Sequence, residues 1–150
     1  ALDLVGRKLP KDNGRAVMAY FKKVGETVQR AESDATLAPL AKSLKTGLDH
    51  LQKATMWLMQ NALAKPDNAG AASNDYMHLF GLVAMGQMWI AISEAALRRK
   101  AEDPSTAAEM DAKLMVARFY MERMMPETGA RLARLSAGAD ALMALPAEAF

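Results

Sequence analysis

The two histidines, His50 and His78, are the side chains of this sequence best suited to proton transfer near neutral pH, and neither stands in a pattern that completes a site. A di-iron carboxylate bundle would need two Glu-x-x-His motifs and two further glutamates on facing helices. The nearest match is a lone Asp75-x-x-His78, and His50 has no acidic residue at that offset. Each histidine therefore reads as a residue satisfied in or beside the core. The absence of cysteine excludes thiol catalysis, a CxxC zinc site and a disulfide scaffold together. Ser73, Ser93 and Ser136 have no histidine partner in sequence that would activate them. Gly81 and Gly86 lie within an apolar run rather than between a strand and a helix, so their spacing does not make a phosphate loop. The 12 methionines suit either an adaptable apolar surface, for an acyl chain or a partner, or simple core filling, and filling is the favoured reading. No catalytic, cofactor-binding or metal-ligating residue is assigned.

The elements that would position these side chains are set by apolar periodicity. Val17, Tyr20 or Phe21, Val24 and Val28 make a stripe at helical spacing, which predicts a first helix over about 14–32. Ser33, Asp34 and Thr36 offer caps for a second, about 35–64, carried by Leu37, Leu40, Leu44, Leu48, Leu51, Thr55, Leu58 and Ala62 and stopped at Pro66. Pro66-Asp67-Asn68-Ala69-Gly70 reads as a turn, and a third helix runs from near Ser73 to Lys100. Asp103-Pro104 starts a fourth, with Thr106 and Glu109 as an alternative capping box and Met110, Leu114, Met121, Leu132 and Leu135 as its stripe. Pro126 should kink it, because its ring meets the carbonyl of Glu122 and it has no N–H to donate. A short turn over Asp140–Leu145 ends the pattern.

At 150 residues the chain suits one domain, and 19 basic against 17 acidic residues, scattered through the sequence, disfavour nucleic acid as a partner. No stretch alternates long enough to be a strand, so the fold class is all-α, an antiparallel up-down-up-down four-helix bundle with a short C-terminal helical turn. Tyr76–Ser93 contains no formal charge and is long enough to cross a membrane. With His78, Gln87 and two glycines and no basic clamp in front, it reads instead as a central bundle helix, apolar all round. Within it, Gly81, Ala84 and Gly86 are expected to permit close approach of a neighbour. The core should run along Leu44, Leu48, Leu51, Leu58, Leu82 and Leu114. Lack of cysteine and of a basic, then apolar, leader suggests the cytoplasm.

Four stretches match a known pattern: ALDLVGRKLP at the start, Gly70–Ile90, Lys113–Ala133 and Ala137–Phe150. The first resembles the segment just beyond a Tyr-Glu-Gly-Thr-type motif in acyl-CoA dehydrogenases. The others resemble the extra C-terminal domain of one subgroup, acetyl-CoA dehydrogenase-like or 3-methylmercaptopropionyl-CoA dehydrogenase-like. The resemblance implies that residues 1–10 are the tail of a helix from a preceding catalytic domain and that 11–150 form the C-terminal bundle. It also implies a parent enzyme in which a glutamate takes the α-proton of an acyl-CoA, FAD accepts hydride, and an electron-transfer flavoprotein takes the electrons. Tyr120-Met-Glu122 lacks the Gly-Thr of the catalytic motif, so no base role passes to Glu122. On this reading the chain is an accessory domain without chemistry of its own, which binds no FAD itself. Its partners are the catalytic domain of the same parent and further copies, in a homo-oligomer. An independent helical interaction module and a self-contained metal or cofactor bundle are the competing readings.

Overall fold

The computed structural model describes residues 1–62 and 64–149. Leu63, within the span expected for the second helix, and Phe150, the last residue of the final resembling stretch, lie outside the described residues. The element order among those described is wholly helical: α1 Arg15–Glu32, α2 Ala38–Asn61, α3 Pro66–Glu102, α4 Ala107–Phe119 and α5 Glu127–Ser136, with short π and 3-10 turns between and around them.

Ahead of α1, a wide π-type turn over Leu4–Lys8 ends where the Leu9 N–H reaches Leu4 O at 2.8 Å. Pro10 has no N–H with which to continue the ladder. Asp12, Asn13 and Gly14 then all adopt left-handed backbone angles, φ 52°, 54° and 76°. Aspartate, asparagine and glycine are the residues that enter that region most readily, and together they reverse the chain into α1. Val5 and Leu9 are buried by this return.

The expected helices form, with informative shifts at their ends. Before α2 the Asp34 carboxylate accepts the N–H groups of Thr36 at 2.7 Å and Leu37 at 3.1 Å, so Asp34 is the cap among the three candidates. α3 departs most from expectation. It begins at Pro66, seven residues before Ser73, so the segment read as a turn is its first turn and a half. Proline is welcome there because the first helical N–H has no partner in any case, and Asp67 suits the positive end of the helix dipole. Asn68, a turn-former by composition, is drawn into tertiary bonds instead: its amide donates to Asn61 O and its carbonyl accepts the Ala139 N–H at 3.0 Å. After α3, Asp103 caps the next turn through Ser105 N–H at 3.1 Å, whereas Thr106 spends its hydroxyl on Asp103 O and forms no capping box.

The expected break at Pro126 divides the fourth helix into α4 and α5, through a π turn at Tyr120–Met124. Met125 N–H reaches back five residues to Tyr120 O at 3.1 Å. The next carbonyl, Met121 O, would look for the missing N–H of Pro126, and Ser43 from α2 supplies the hydrogen bond at 2.9 Å instead. Beyond α5 the described residues form two short turns, one closed by Met143 N–H to Ala139 O at 3.0 Å and a 3-10 turn at Ala147–Ala149 closed by Ala149 N–H to Pro146 O at 3.0 Å.

Leu44, Leu48, Leu51 and Leu58 are buried as expected. Leu82 and Leu114 are only half-buried. Along α3 the inward face is Tyr76, Leu79, Val83, Gly86 and Ile90, which leaves Leu82 to one side, and α4 buries only Met110 and Ala117. The methionine reading is also corrected. Met110, Met121 and Met125 are buried, while Met18, Met56, Met59, Met77, Met85, Met88, Met115, Met124 and Met143 are exposed. Nor is α3 apolar because it is covered all round. It packs on α1, α2, α4 and α5, yet keeps an outer face in solvent.

Of the two glycines expected to allow close approach, only Gly86 does so. A Cβ there would lie 3.1 Å from Met125 Sδ and 3.2 Å from Leu44 Cδ1, whereas at Gly81 it would meet nothing within 4 Å. The counterpart of Gly86 is Gly47 on α2, whose added Cβ would overlap Met125 Cε. Met125 thus fills a slot walled by two glycines on two helices. Gly47→Leu should lower stability by about 1–3 kcal/mol through overpacking, because its branches would meet Met125, Val83 and Thr128 together. Gly25→Ala, with nothing within 4 Å of the new atom, should raise it by about 0.5–1 kcal/mol through helix propensity. Urea denaturation of both variants checks the opposite signs.

Candidate functional site

Most of the side chains singled out by chemistry find a local partner; His78 and Ser136 are exposed. His50, on α2, faces the start of α5, with Nδ1 2.9 Å from Thr128 Oγ1. The Thr128 hydroxyl donates to Met125 O at 2.8 Å, so its oxygen accepts from a protonated His50 Nδ1. Thr128 is buried, and this chain of bonds fastens α2 to the turn after the π segment. His50 is the satisfied residue its sequence context suggested.

Asp75 and His78 do not act together. His78 is exposed, while Asp75 accepts hydrogen bonds across to α5 from Arg131 Nη1 at 2.8 Å and Arg134 Nη2 at 3.1 Å. Arg131 also donates to Glu127 at 2.6 Å. Burial would push the Asp75 carboxyl up, but the hydrogen bonds and charges of the two arginines outweigh it and hold the group below the usual carboxylate range. The pair Arg131–Asp75 is mostly covered, both side chains under a fifth exposed, so it is screened less than a surface pair.

Two of the serines are consumed locally, Ser73 donating to Gly70 O at 2.9 Å and Ser93 to Trp89 O at 2.8 Å, while Ser136 is exposed. Tyr120 donates to Leu82 O at 2.9 Å, and Glu122 is held by Arg118 Nε at 2.7 Å on the surface. Among the described residues, no group of three or more His, Asp or Glu side chains could hold a metal ion.

Four pairings were not foreseen. Gln87 of α3 donates to Thr27 Oγ1 of α1 at 3.2 Å, and Tyr76 donates to Thr55 Oγ1 of α2 at 2.8 Å, the Thr55 hydroxyl being spent on Leu51 O. Arg30 bonds Glu94 at 2.7 Å, and Tyr20 stacks on Phe80 with centroids 4.8 Å apart. A polar residue on an apolar stripe, as Thr55 and Gln87 are, is the signal that could have marked the first two. Among the hollows that open on the surface, two have mainly apolar linings. One, of about 400 Å³, lies between the N-terminal segment and the α2–α3 corner, against Val5, Leu9, Pro10, Leu58 and Met59. The other, of about 570 Å³, lies between α2 and α4, with Leu40, Leu114 and Met121 inside and Asp111, Arg118 and Glu122 around it. Both could lodge an apolar group, and neither gathers a catalytic pair.

These bonds can be probed by pH and by mutation. Because the folded pKa of Asp75 is depressed, its contribution is complete above the unfolded carboxylate value of about 4 and is lost as pH falls through the folded value. Asp75→Asn should therefore cost about 1–2 kcal/mol at pH 7 and flatten the acid limb of a stability–pH curve. Tyr20 Oη is buried with no hydrogen-bond partner among the described residues, and burial pushes its pKa up to about 12. Tyr20→Phe removes that orphan while keeping the stack, and should raise the thermal midpoint, by up to about 1 kcal/mol of stability.

The arrangement is one of helices braced by side chains, and similarity to known proteins agrees on what kind of piece this is. The family model described as "Acetyl-CoA dehydrogenase C-terminal like" matches residues 20–146. A 3-methylmercaptopropionyl-CoA dehydrogenase of Ruegeria pomeroyi is 24% identical over 151 residues, covering 95% of this chain and 24% of that protein. The chain thus spans about a quarter of the length of the curated relative it matches. With the family model matching most of its residues, this chain belongs to the acetyl-CoA dehydrogenase C-terminal-like family.

Proposed function

We propose that this chain is the accessory domain of a flavin-dependent acyl-CoA dehydrogenase, supporting assembly or shaping access to the acyl site, with the chemistry done elsewhere in the parent. Residues 1–10 would be the tail of a helix from the catalytic domain and 11–150 the bundle. The parent would act in the cytoplasm as a homo-oligomer, dehydrogenating an acyl-CoA thioester and passing electrons to an electron-transfer flavoprotein. The observation that carries this reading is the use to which the polar groups are put: His50, Asp75, Arg131 and Thr128 are all engaged in joining one helix to another.

The bundle reading has support in the register of the cross-helix pairs. Tyr20–Phe80, Thr27–Gln87 and Arg30–Glu94 advance together along α1 and α3, as helices running the same way require. Ser43–Met121 and His50–Thr128 do so for α2 with the α4–α5 arm. Thr55–Tyr76 and Leu44–Gly86 run in opposite order along α2 and α3. We read an up-down-up-down path with α4 and α5 sharing the fourth place.

We infer that the flavin is not held where α3 meets α5: its pyrophosphate calls for convergent N–H groups or free arginines, yet α3 and α5 open with Asp67 and Glu127 in their first turns, and Arg131 and Arg134 are both held by Asp75. We place the flavin in the remainder of the parent. Residues 1–150 purified alone should bind no flavin stoichiometrically and oxidise no acyl-CoA. The parent lacking residues 11–150 should show altered assembly and lower turnover with an artificial electron acceptor. Flavin absorbance on the fragment, or a truncated parent unchanged in both respects, would overturn the proposal.

A further inference from the structure

The outer face of α3 carries an apolar strip that the other described residues leave uncovered. Met77, Met85, Met88 and Ile92 are exposed by 38, 51, 45 and 37%, and between them Gly81 and Ala91 are exposed too. At 100° per residue these positions fall on the side of the helix opposite Val83 and Ile90, and from Met77 to Ile92 the strip is about 23 Å long. It lies within the charge-free run Tyr76–Ser93. Beside it, the Tyr120 ring, just past α4, sits 6.5 Å from that of Trp89 and its hydroxyl donates to Leu82 O, and the neighbouring Val116 and Phe119 of α4 are 48 and 58% exposed. Scattered exposed apolar residues are ordinary, but a continuous strip of this kind marks an interaction site.

We propose that the strip is a two-fold interface, pairing α3 with α3 of a second copy of this chain, antiparallel and centred between Ala84 and Met85. In that register Ala84 of each copy meets Met85 of the other, Gly81 meets Met88, and Met77 meets Ile92. The central levels set small against large, each twice by symmetry, as a self-complementary interface requires. The arrangement gives Gly81 a role. An exposed glycine in mid-helix costs about 1 kcal/mol relative to alanine, and here a Cβ would meet no described atom within 4 Å apart from its immediate neighbours and the adjacent backbone of α3. The Met88 side chain of the second copy occupies that space. The ends are complementary in charge. Arg99 falls opposite Gly70, within a turn of Asp67, and all three are exposed. A basic C-terminal turn thus lies on an acidic N-terminal turn at both ends, with the helix dipoles opposed. α3 together with the α4 flank offers a face of roughly 460 Å², a little over half of the ~800 Å² per partner of standard interfaces and within the range of smaller, weaker ones. Self-pairing of this strip goes beyond the accessory-domain reading and does not rest on it.

The test uses the full-length polypeptide that carries this domain, bearing Gly81→Cys and Met88→Cys together. Two cysteines seven residues apart on one helix are separated by about 10 Å, beyond the ~7 Å that a disulfide can bridge, so they cannot pair within a copy. Under mild oxidation the double variant should form covalent dimers, while each single variant should not, because identical positions lie about 10 Å apart across the axis. Adding Met85→Glu, which brings two carboxylates to the axis, should reduce the crosslinked fraction at least about tenfold with helix content unchanged by circular dichroism. Absence of the covalent dimer, equal crosslinking by a single variant, or indifference to Met85→Glu would overturn the proposal. So would a strip protected from modification in a polypeptide that remains monomeric, whether by the rest of the parent chain or by lipid vesicles.

Discussion

Met125 is the residue on which the arrangement of the second half of the molecule depends. Pro126 removes one helical hydrogen bond, and the backbone responds with a π turn that swings Met125 inward. Its thioether enters a slot that exists only because α2 and α3 both carry glycine at the point of contact, Gly47 and Gly86. An unbranched, polarisable side chain is the one able to follow so narrow a path. The polar groups close the same joint: Ser43 satisfies Met121 O, and His50 reaches Thr128, whose hydroxyl returns to Met125 O. A steric event at one proline is thereby converted into a fixed position for α5.

The rest of the interior uses polar side chains in the same way. Thr27–Gln87, Thr55–Tyr76 and Asp75–Arg131 each join α3 to a different helix, so α3 is held on three sides by bonds that tolerate little sliding. A buried hydrogen-bonded pair specifies register more sharply than leucine against leucine, because a shift of one turn strands both partners. The result is a rigid interior in which most buried polar groups are spent on joining helices.

With the interior so tightly joined, the adaptable side chains lie outside. Most methionines face solvent, and those on α3 share a strip with glycine and alanine rather than with lysine or glutamate. That surface does not match the composition of the remaining helix faces, where ion pairs such as Lys53–Asp49 and Lys22–Glu26 are spread over α1 and α2. The contrast separates surfaces made for water from one made for a macromolecule.

The local sequence determined the helical class, the spans of α1 and α2 and the break at Pro126, because amphipathic period and the missing proline N–H act within one or two turns. The resemblance of long stretches to the acyl-CoA dehydrogenase C-terminal domain was legible because it resides in residue identity. Other features were decided only by the tertiary structure. Pro66–Gly70 reads as a turn until Ala139 and Asn61 claim the side chain of Asn68. An uncharged helix has no polar face to point outward, so sequence could not tell Gly86, which admits Met125, from Gly81, which faces open space, nor place Leu82 and Leu114 at the edge of the core. Periodicity identifies a buried face only where the two faces differ in polarity; where they do not, the neighbouring helix chooses.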